Sequence, residues 1–240
     1  MSFSGNTIIG YYMRSGSTLL QHLLDSHSRI RAFGDLNSIF TLPGALAGRR
    51  RNGHRVFKPL DLFYLHIRRP FYQRFDRRIW LARDPRDSYL SAMEAGPHLR
   101  YFLWPPGRRK LGIDTGLLRR WKRTYRHYFR DPDRWHLVRY EDLVTKPRAV
   151  LAALFQYLEV PFEKVFPFRR YRRIGVGGDH KLVHTNNIHT RSLGRHRGIL
   201  SREQNDLFRE YLGEEMERLG YPLYMRAHLD ESPAATYSQI

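Results

Sequence analysis

Met13-Arg14-Ser15-Gly16-Ser17-Thr18-Leu19-Leu20, preceded by the apolar run Thr7-Ile8-Ile9-Gly10-Tyr11-Tyr12, is the stretch that decides the fold. It reads as a strand, a tight glycine turn and the start of a helix. The first amides of that helix, around Ser15, Gly16 and Ser17, have no carbonyl one turn back to bond, and they add to the positive end of the helix dipole. The pattern predicts a site for an anion, on a ligand carrying phosphate or sulfate. Taken alone, the loop also fits a glycine turn that only begins a helix.

The competing motif is the nucleotide-hydrolysing loop GxxxxGK[ST], whose lysine reaches the phosphates and whose hydroxyl residue holds magnesium. With Gly16 and Thr18 on the second glycine and the hydroxyl, Ser17 stands where lysine should be, and Gly10 is one residue too far upstream. The cation is Arg14 instead. An arginine on the near side of the turn gives a planar, multi-donor grip on a leaving-group oxygen without a metal, which suits sulfuryl transfer.

A second motif follows in Arg78-Ile79-Trp80-Leu81-Ala82-Arg83-Asp84-Pro85-Arg86-Asp87-Ser88-Tyr89-Leu90-Ser91: an apolar strand, an arginine, and a helix start. Asp84 is placed to cap that helix and Pro85 to occupy its first position. This grammar does not require Arg83 or Ser91. A helix beginning near Pro85 brings the Ser91 hydroxyl back towards its N-terminal side, where it shares an anion with Arg83.

These two motifs resemble those of the sulfotransferases that use 3′-phosphoadenosine 5′-phosphosulfate (PAPS), whose 5′-phosphosulfate loop reads [KR]SG[TS]T. The arginine form here is similar to carbohydrate and protein sulfotransferases and their bacterial relatives. The resemblance implies that Arg14, Ser15, Gly16, Ser17, Thr18 and Leu19 hold the 5′ side of the donor and that Arg83 and Ser91 hold its 3′-phosphate. It extends to Trp135-His136-Leu137-Val138-Arg139-Tyr140-Glu141-Asp142-Leu143, where Tyr140 resembles the adenine-contacting tyrosine; an aromatic that only closes the core is the other reading. It also extends to Ser192-Leu193-Gly194-Arg195-His196-Arg197-Gly198, a basic loop before a helix from Ser201 to Leu219, which implies donor contacts from Arg195 and Arg197. His196 departs from the aromatic that many relatives carry there.

The resemblance also assigns catalytic positions. Asp35, in Phe33-Gly34-Asp35-Leu36-Asn37, lies just past the first helix, where arginine-type relatives place a catalytic glutamate; it is read either as the base for the acceptor hydroxyl or as a cap of the next helix. Lys58, in Arg55-Val56-Phe57-Lys58-Pro59-Leu60, matches the lysine that bridges towards the sulfate. Leu60 stands where cytosolic relatives have a catalytic histidine, which favours Asp35 as base. His54 and His66 are held in reserve, because an ordinary imidazole titrates near neutrality. The three catalytic candidates are therefore Arg14, Asp35 and Lys58.

Strands at about 6–12, 54–58, 78–83 and 134–140, with helices between them, predict an α/β chain: a P-loop-like three-layer sandwich around a mainly parallel sheet. Leu117, Leu118, Trp121, Tyr125 and Phe129 are spaced as the buried stripe of a helix over Thr115 to Arg130, and Pro147 to Leu158 reads as another packed helix. The expected organisation is one sulfotransferase domain over 1–226 and a flexible tail over 227–240. Pro97 to Gly112 is too long for a simple connector and is expected to shape the acceptor pocket. His180, His184 and His189 lie near Asp179 on a Gly/Asn-rich loop, better read as a lid than as a metal site. No metal is expected.

The 240 residues carry 42 Lys+Arg against 23 Asp+Glu, a formal charge of +19, which focuses anions. Arg49-Arg50-Arg51, Arg108-Arg109-Lys110 and Arg169-Arg170-Tyr171-Arg172-Arg173 exceed what one nucleotide needs; an acidic acceptor, nucleic acid or solvent remain open for them. Zinc-finger, RRM and basic-zipper signatures are absent, which argues against a nucleic-acid module. With no cysteines, disulfides and thiolate metal sites are excluded. No apolar run is long enough to span a bilayer and no leader is recognised, so a cytoplasmic enzyme is the expectation. A P-loop small-molecule kinase and a basic nucleic-acid-binding protein are the alternatives carried forward.

Overall fold

A computed structural model describes residues 5–46, 53–60, 69–95, 107–167 and 187–223. Strands β1 (Asn6–Tyr11), β2 (Ile30–Gly34), β3 (His54–Lys58), β4 (Arg77–Ala82) and β7 (His136–Arg139) form one sheet in the order β2-β3-β1-β4-β7. Every pairing in it is parallel, with Ile8 opposite Phe57 on one side of β1 and opposite Arg78 on the other. Two short strands, β5 (Arg109–Lys110) and β6 (Ile113–Asp114), pair antiparallel outside it. Helices α1 (Ser17–Asp25), α2 (Asp35–Leu46), α3 (Arg69–Tyr72) and α4 (Pro85–Glu94) alternate with the first strands, and further helices follow at Thr115–Phe129, Pro147–Tyr157 and Arg202–Arg218. The α/β fold expected from the sequence, a central parallel sheet flanked by helices, is present.

Central strands of a parallel sheet are covered on both faces and read as continuous apolar runs. Ile8, Ile9, Ile79, Trp80, Leu81 and Ala82 are accordingly buried completely. Gly10 is needed because a Cβ there would come within 2.3 Å of the Trp80 ring. Trp80 in turn meets Tyr125 at 5.2 Å and Trp135 at 5.1 Å edge-on, tying the Thr115–Phe129 helix to the sheet.

Helix starts follow their predicted chemistry. Asp84 Oδ1 accepts from Arg86 N at 2.9 Å, with Pro85 at the first helical position. Asp114 caps the Thr115–Phe129 helix, and Ser201 with Gln204 forms a capping box on the last long helix. The sequence reading passes from the first helix to Asp35 without a strand, and β2 corrects it. Of Ile30-Arg31-Ala32-Phe33-Gly34 only Ile30 is buried, because this strand lies at the sheet's edge and lacks the apolar run of its neighbours. Arg49 to Arg51, His66, Arg169 to Arg173, His180, His184, most of the Pro97–Gly112 connector and the C-terminal tail lie outside the described residues.

His54 is buried at the start of β3, its Nε2 2.6 Å from Thr7 Oγ1. Burial, outweighing the attraction of Asp76, lowers its pKa to about 4. The fold favours the neutral ring, so this contribution to stability is complete above pH 6.5 and is lost as pH falls towards 4, by up to about 1.4 kcal/mol per pH unit. Chemical denaturation at pH 7, 5.5 and 4.5 should show a shallower loss in His54→Gln than in the wild type. An identical slope in the two proteins would remove His54 from the acid response.

Candidate functional site

Each strand of the parallel sheet delivers one candidate residue at its carboxyl end. Asp35 follows β2, Lys58 ends β3, Arg14 to Ser17 follow β1, Arg83 follows β4 and Tyr140 follows β7. With neighbouring strands about 4.8 Å apart, the strand order sets these groups along one edge: Asp35, Lys58, the loop, Arg83, Tyr140. From β1 the chain passes to β2 and β3 on one side and to β4 on the other. The loop therefore lies at the crevice where connections diverge, the place where open α/β sheets bind ligands.

The loop backbone turns through left-handed conformations at Arg14 (φ 60°) and Gly16 (φ 90°). Glycine is required at 16 twice over, since a Cβ there would also lie 2.3 Å from the Tyr140 ring. Arginine at 14 is strained by about 1–2 kcal/mol. Arg83 offsets this by donating from Nη1 to the Arg14 carbonyl at 2.8 Å. No side chain caps α1 and no acidic residue stands in its first turn, so its leading amides have no side-chain acceptor.

A cleft partly open to solvent is lined by Arg14, Gly16, Ser17, Thr18, Leu19, Arg83, Ser91, Tyr140 and Arg195, all expected, together with Asn187, His189 and Ser192. Ser15 lies just beneath, fully buried. Arg14 Nε donates to Ser91 Oγ at 3.1 Å, so the residues assigned separately to the 5′ and 3′ sides are in direct contact. The Arg83 guanidinium sits 4.5 Å over the Tyr140 ring and donates from Nη2 to the Ser192 carbonyl at 2.7 Å. Tyr140 and Ser192 share a hydroxyl hydrogen bond of 2.6 Å. Glu141 accepts from Asp84 N at 2.9 Å and from the Tyr221 hydroxyl at 3.2 Å, so the segment after β7 braces the loop carrying Arg83. Burial pushes the Glu141 carboxyl up.

At the other end of the edge, Lys58 Nζ donates to Asp35 Oδ1 at 2.7 Å. Lys58 is 1 % exposed, and its ammonium stands 5.4 Å over the Tyr11 ring. The Asp35 backbone is left-handed (φ 46°), a conformation that short polar side chains tolerate far better than long ones. That gives a backbone reason for aspartate rather than glutamate at this position. The carboxylate is turned to Lys58 from the first residue of α2.

Arg197 is exposed, with its guanidinium beside Gly194, the residue before the cleft-lining Arg195. One expectation changes. His54 begins β3 and Lys58 ends it, so His54 lies roughly 13 Å away at the opposite edge of the sheet and is no reserve base. The histidine that does sense the Asp35–Lys58 pair is His22 of α1. Burial lowers its pKa to about 4, with Asp25, Lys58 and Asp35 as the charges around it. Its position, one helical turn beyond Thr18, was the available sequence signal.

Also unforeseen is the support of the basic loop. Asp87 of α4 accepts from Gly194 N and His196 N, and Glu94 pairs with Arg195. Among the described residues no group of three or more His, Asp or Glu is placed to hold a metal ion.

A glycine loop without a lysine thus stands at the carboxyl edge of a parallel sheet that also carries Arg83 and the buried Lys58, with Ser91 bonded to Arg14. Residues 77–164 match the sequence profile of the family described as "Sulfotransferase family". In structure the chain is similar to the sulfotransferase domain from the curacin biosynthetic pathway (TM-score 0.68, 18% identity, 93% of this chain and 100% of that one). It is also similar to the sulfotransferase domain of the Synechococcus PCC 7002 olefin synthase (0.65, 17%, 93% and 96%). The mouse sulfotransferase SULT7A1 complexed with PAP, adenosine 3′,5′-bisphosphate, follows (0.58, 13%, 88% and 84%). No curated protein matches it in sequence. The resemblance to the sulfotransferases is thereby borne out, while the loop over residues 13–20 lies outside the matched segment.

Proposed function

We propose that the chain transfers a sulfuryl group from PAPS to an acceptor hydroxyl. One observation carries this reading: a buried lysine paired with a partly exposed carboxylate, and an uncapped helix start, stand on one sheet edge beside a 3′-phosphate-type Arg/Ser pair. Two buried polar atoms at that edge, Ser15 Oγ and Arg83 Nε, have no hydrogen-bond partner among the described residues, and both fit a phosphate oxygen. The residue set therefore suits a nucleotide with phosphates at both ends of its ribose.

When bound, PAPS supplies the sulfuryl group and leaves as PAP. In this reading Arg14 and the amides of residues 15–19 hold the 5′ side, Arg83, Ser91 and Arg195 hold the 3′-phosphate, and Tyr140 meets the adenine. Asp35 takes the proton from the acceptor hydroxyl. Lys58 stabilises the negative charge on the transferring oxygens and holds the Asp35 carboxylate in place, which is electrostatic preorganisation of the ordinary kind. A sulfuryl group carries less charge than a terminal phosphoryl group, so these cations suffice and EDTA should leave turnover intact.

Ligand-induced thermal shifts test the reading. PAP should stabilise the protein far more than 5′-AMP or ATP, because a ligand without the 3′-phosphate leaves Arg83 and Ser91 unused. Equal shifts for the three ligands, or metal-dependent turnover of ATP, would overturn it. Tight, salt-sensitive oligonucleotide binding without a preference for PAP would favour a nucleic-acid-binding role. The acceptor class is found by mass spectrometry across sugars, lipids, peptides and secondary metabolites. The product gains about 80 Da, with phosphorylation excluded separately because it is nearly isobaric.

A further inference from the structure

The segment 192–197 reaches the cleft from far along the chain, and one side chain of α4 holds it. Asp87 Oδ2 accepts from Gly194 N at 2.7 Å, while Oδ1 accepts from His196 N at 3.0 Å and lies 2.9 Å from His196 Nδ1. Both Asp87 and His196 are buried. Gly194 is left-handed (φ 63°), so the turn that Asp87 grips is one that favours glycine. Asp87 itself does not line the cleft; Ser192, just before the gripped amides, and Arg195, between them, do.

Residues 87, 91 and 94 fall on one face of α4, at i, i+4 and i+7. Asp87 grips the turn, Ser91 lines the cleft, and Glu94 holds Arg195. Burying a carboxylate is costly unless its oxygens are satisfied, and three donors satisfy this one. Burial pushes the Asp87 carboxyl up, but hydrogen bonds from His196 and the charges of His196 and Arg83 outweigh it and leave it below its ordinary value.

We propose that Asp87, acting with His196, is a positioning residue of the donor site: it fixes segment 192–197 so that Ser192 and Arg195 face Ser91, and so sets the preference for a 3′-phosphate. The ligand named here rests on the PAPS reading above, whereas the grip on the segment does not.

The test uses the full chain. Asp87→Asn keeps the shape, but its amide nitrogen cannot accept a hydrogen bond from the donors it faces. His196→Leu removes the side-chain donor, and His196→Asn restores an N–H near the place of Nδ1. Asp87→Asn and His196→Leu should weaken PAP binding about ten- to a hundredfold while 5′-AMP binding changes less than about twofold, and His196→Asn should recover most of the loss. In the absence of nucleotide, the Gly194 and His196 amides should exchange with deuterium at least about tenfold faster in Asp87→Asn.

Parallel losses of PAP and 5′-AMP affinity in step with a lower Tm, or unchanged exchange at Gly194 and His196, would overturn the proposal. If Asp87→Asn does not fold, the two His196 variants decide on the same measurements. Wild-type protein that fails to bind PAP would defeat the donor reading instead, while the exchange measurement would still judge the grip.

Discussion

Asp35→Asn is expected to lower kcat by about 10²- to 10⁴-fold, the usual worth of a positioned general base, with PAP affinity unchanged within about twofold. The substitution isolates the proton-accepting role because asparagine tolerates the left-handed backbone at this position and keeps an Oδ1 that can accept from Lys58 Nζ. Single-turnover rates at saturating donor, with PAP titrated separately, give the two numbers. Loss of both would make Asp35 a structural residue. Retained turnover would move the base to His22, whose ring senses the Asp35 and Lys58 charges and is held neutral by burial.

Lys58→Met should cost about 10²- to 10³-fold in kcat, the scale seen when one preorganised donor to a developing charge is removed. Methionine keeps the length of the buried stem and tolerates the contact with the Tyr11 ring, so the fold should survive. PAP lacks the sulfuryl group, and its affinity should change by no more than about threefold if Lys58 acts on the transferring oxygens. A parallel fall in PAP affinity would assign Lys58 to the nucleotide instead.

The two motifs were legible because both are local: a strand, a turn and a helix start within about fifteen residues fix their own geometry. The order of strands was not. Nothing in Ile30-Arg31-Ala32-Phe33-Gly34 announces an edge strand, yet β2 is what carries Asp35 to the carboxyl edge and pairs Gly34 with Lys58. His54 shows the converse error, since a histidine four residues from Lys58 looks close in sequence and a strand separates the two by its whole length. The grip of Asp87 on Gly194 and His196 joins positions more than a hundred residues apart, which no spacing within a motif encodes.

Gly16 and Tyr140 carry a consequence for protein engineering. The Tyr140 ring, just past the edge strand β7, occupies the space that any side chain at 16 would need, so the width of the anion loop is gauged by a residue more than a hundred positions away. The RSGST segment is therefore not a portable cassette. Grafted onto another sheet without its distant tyrosine and the arginine that bonds the Arg14 carbonyl, it would keep its letters and lose its calibre.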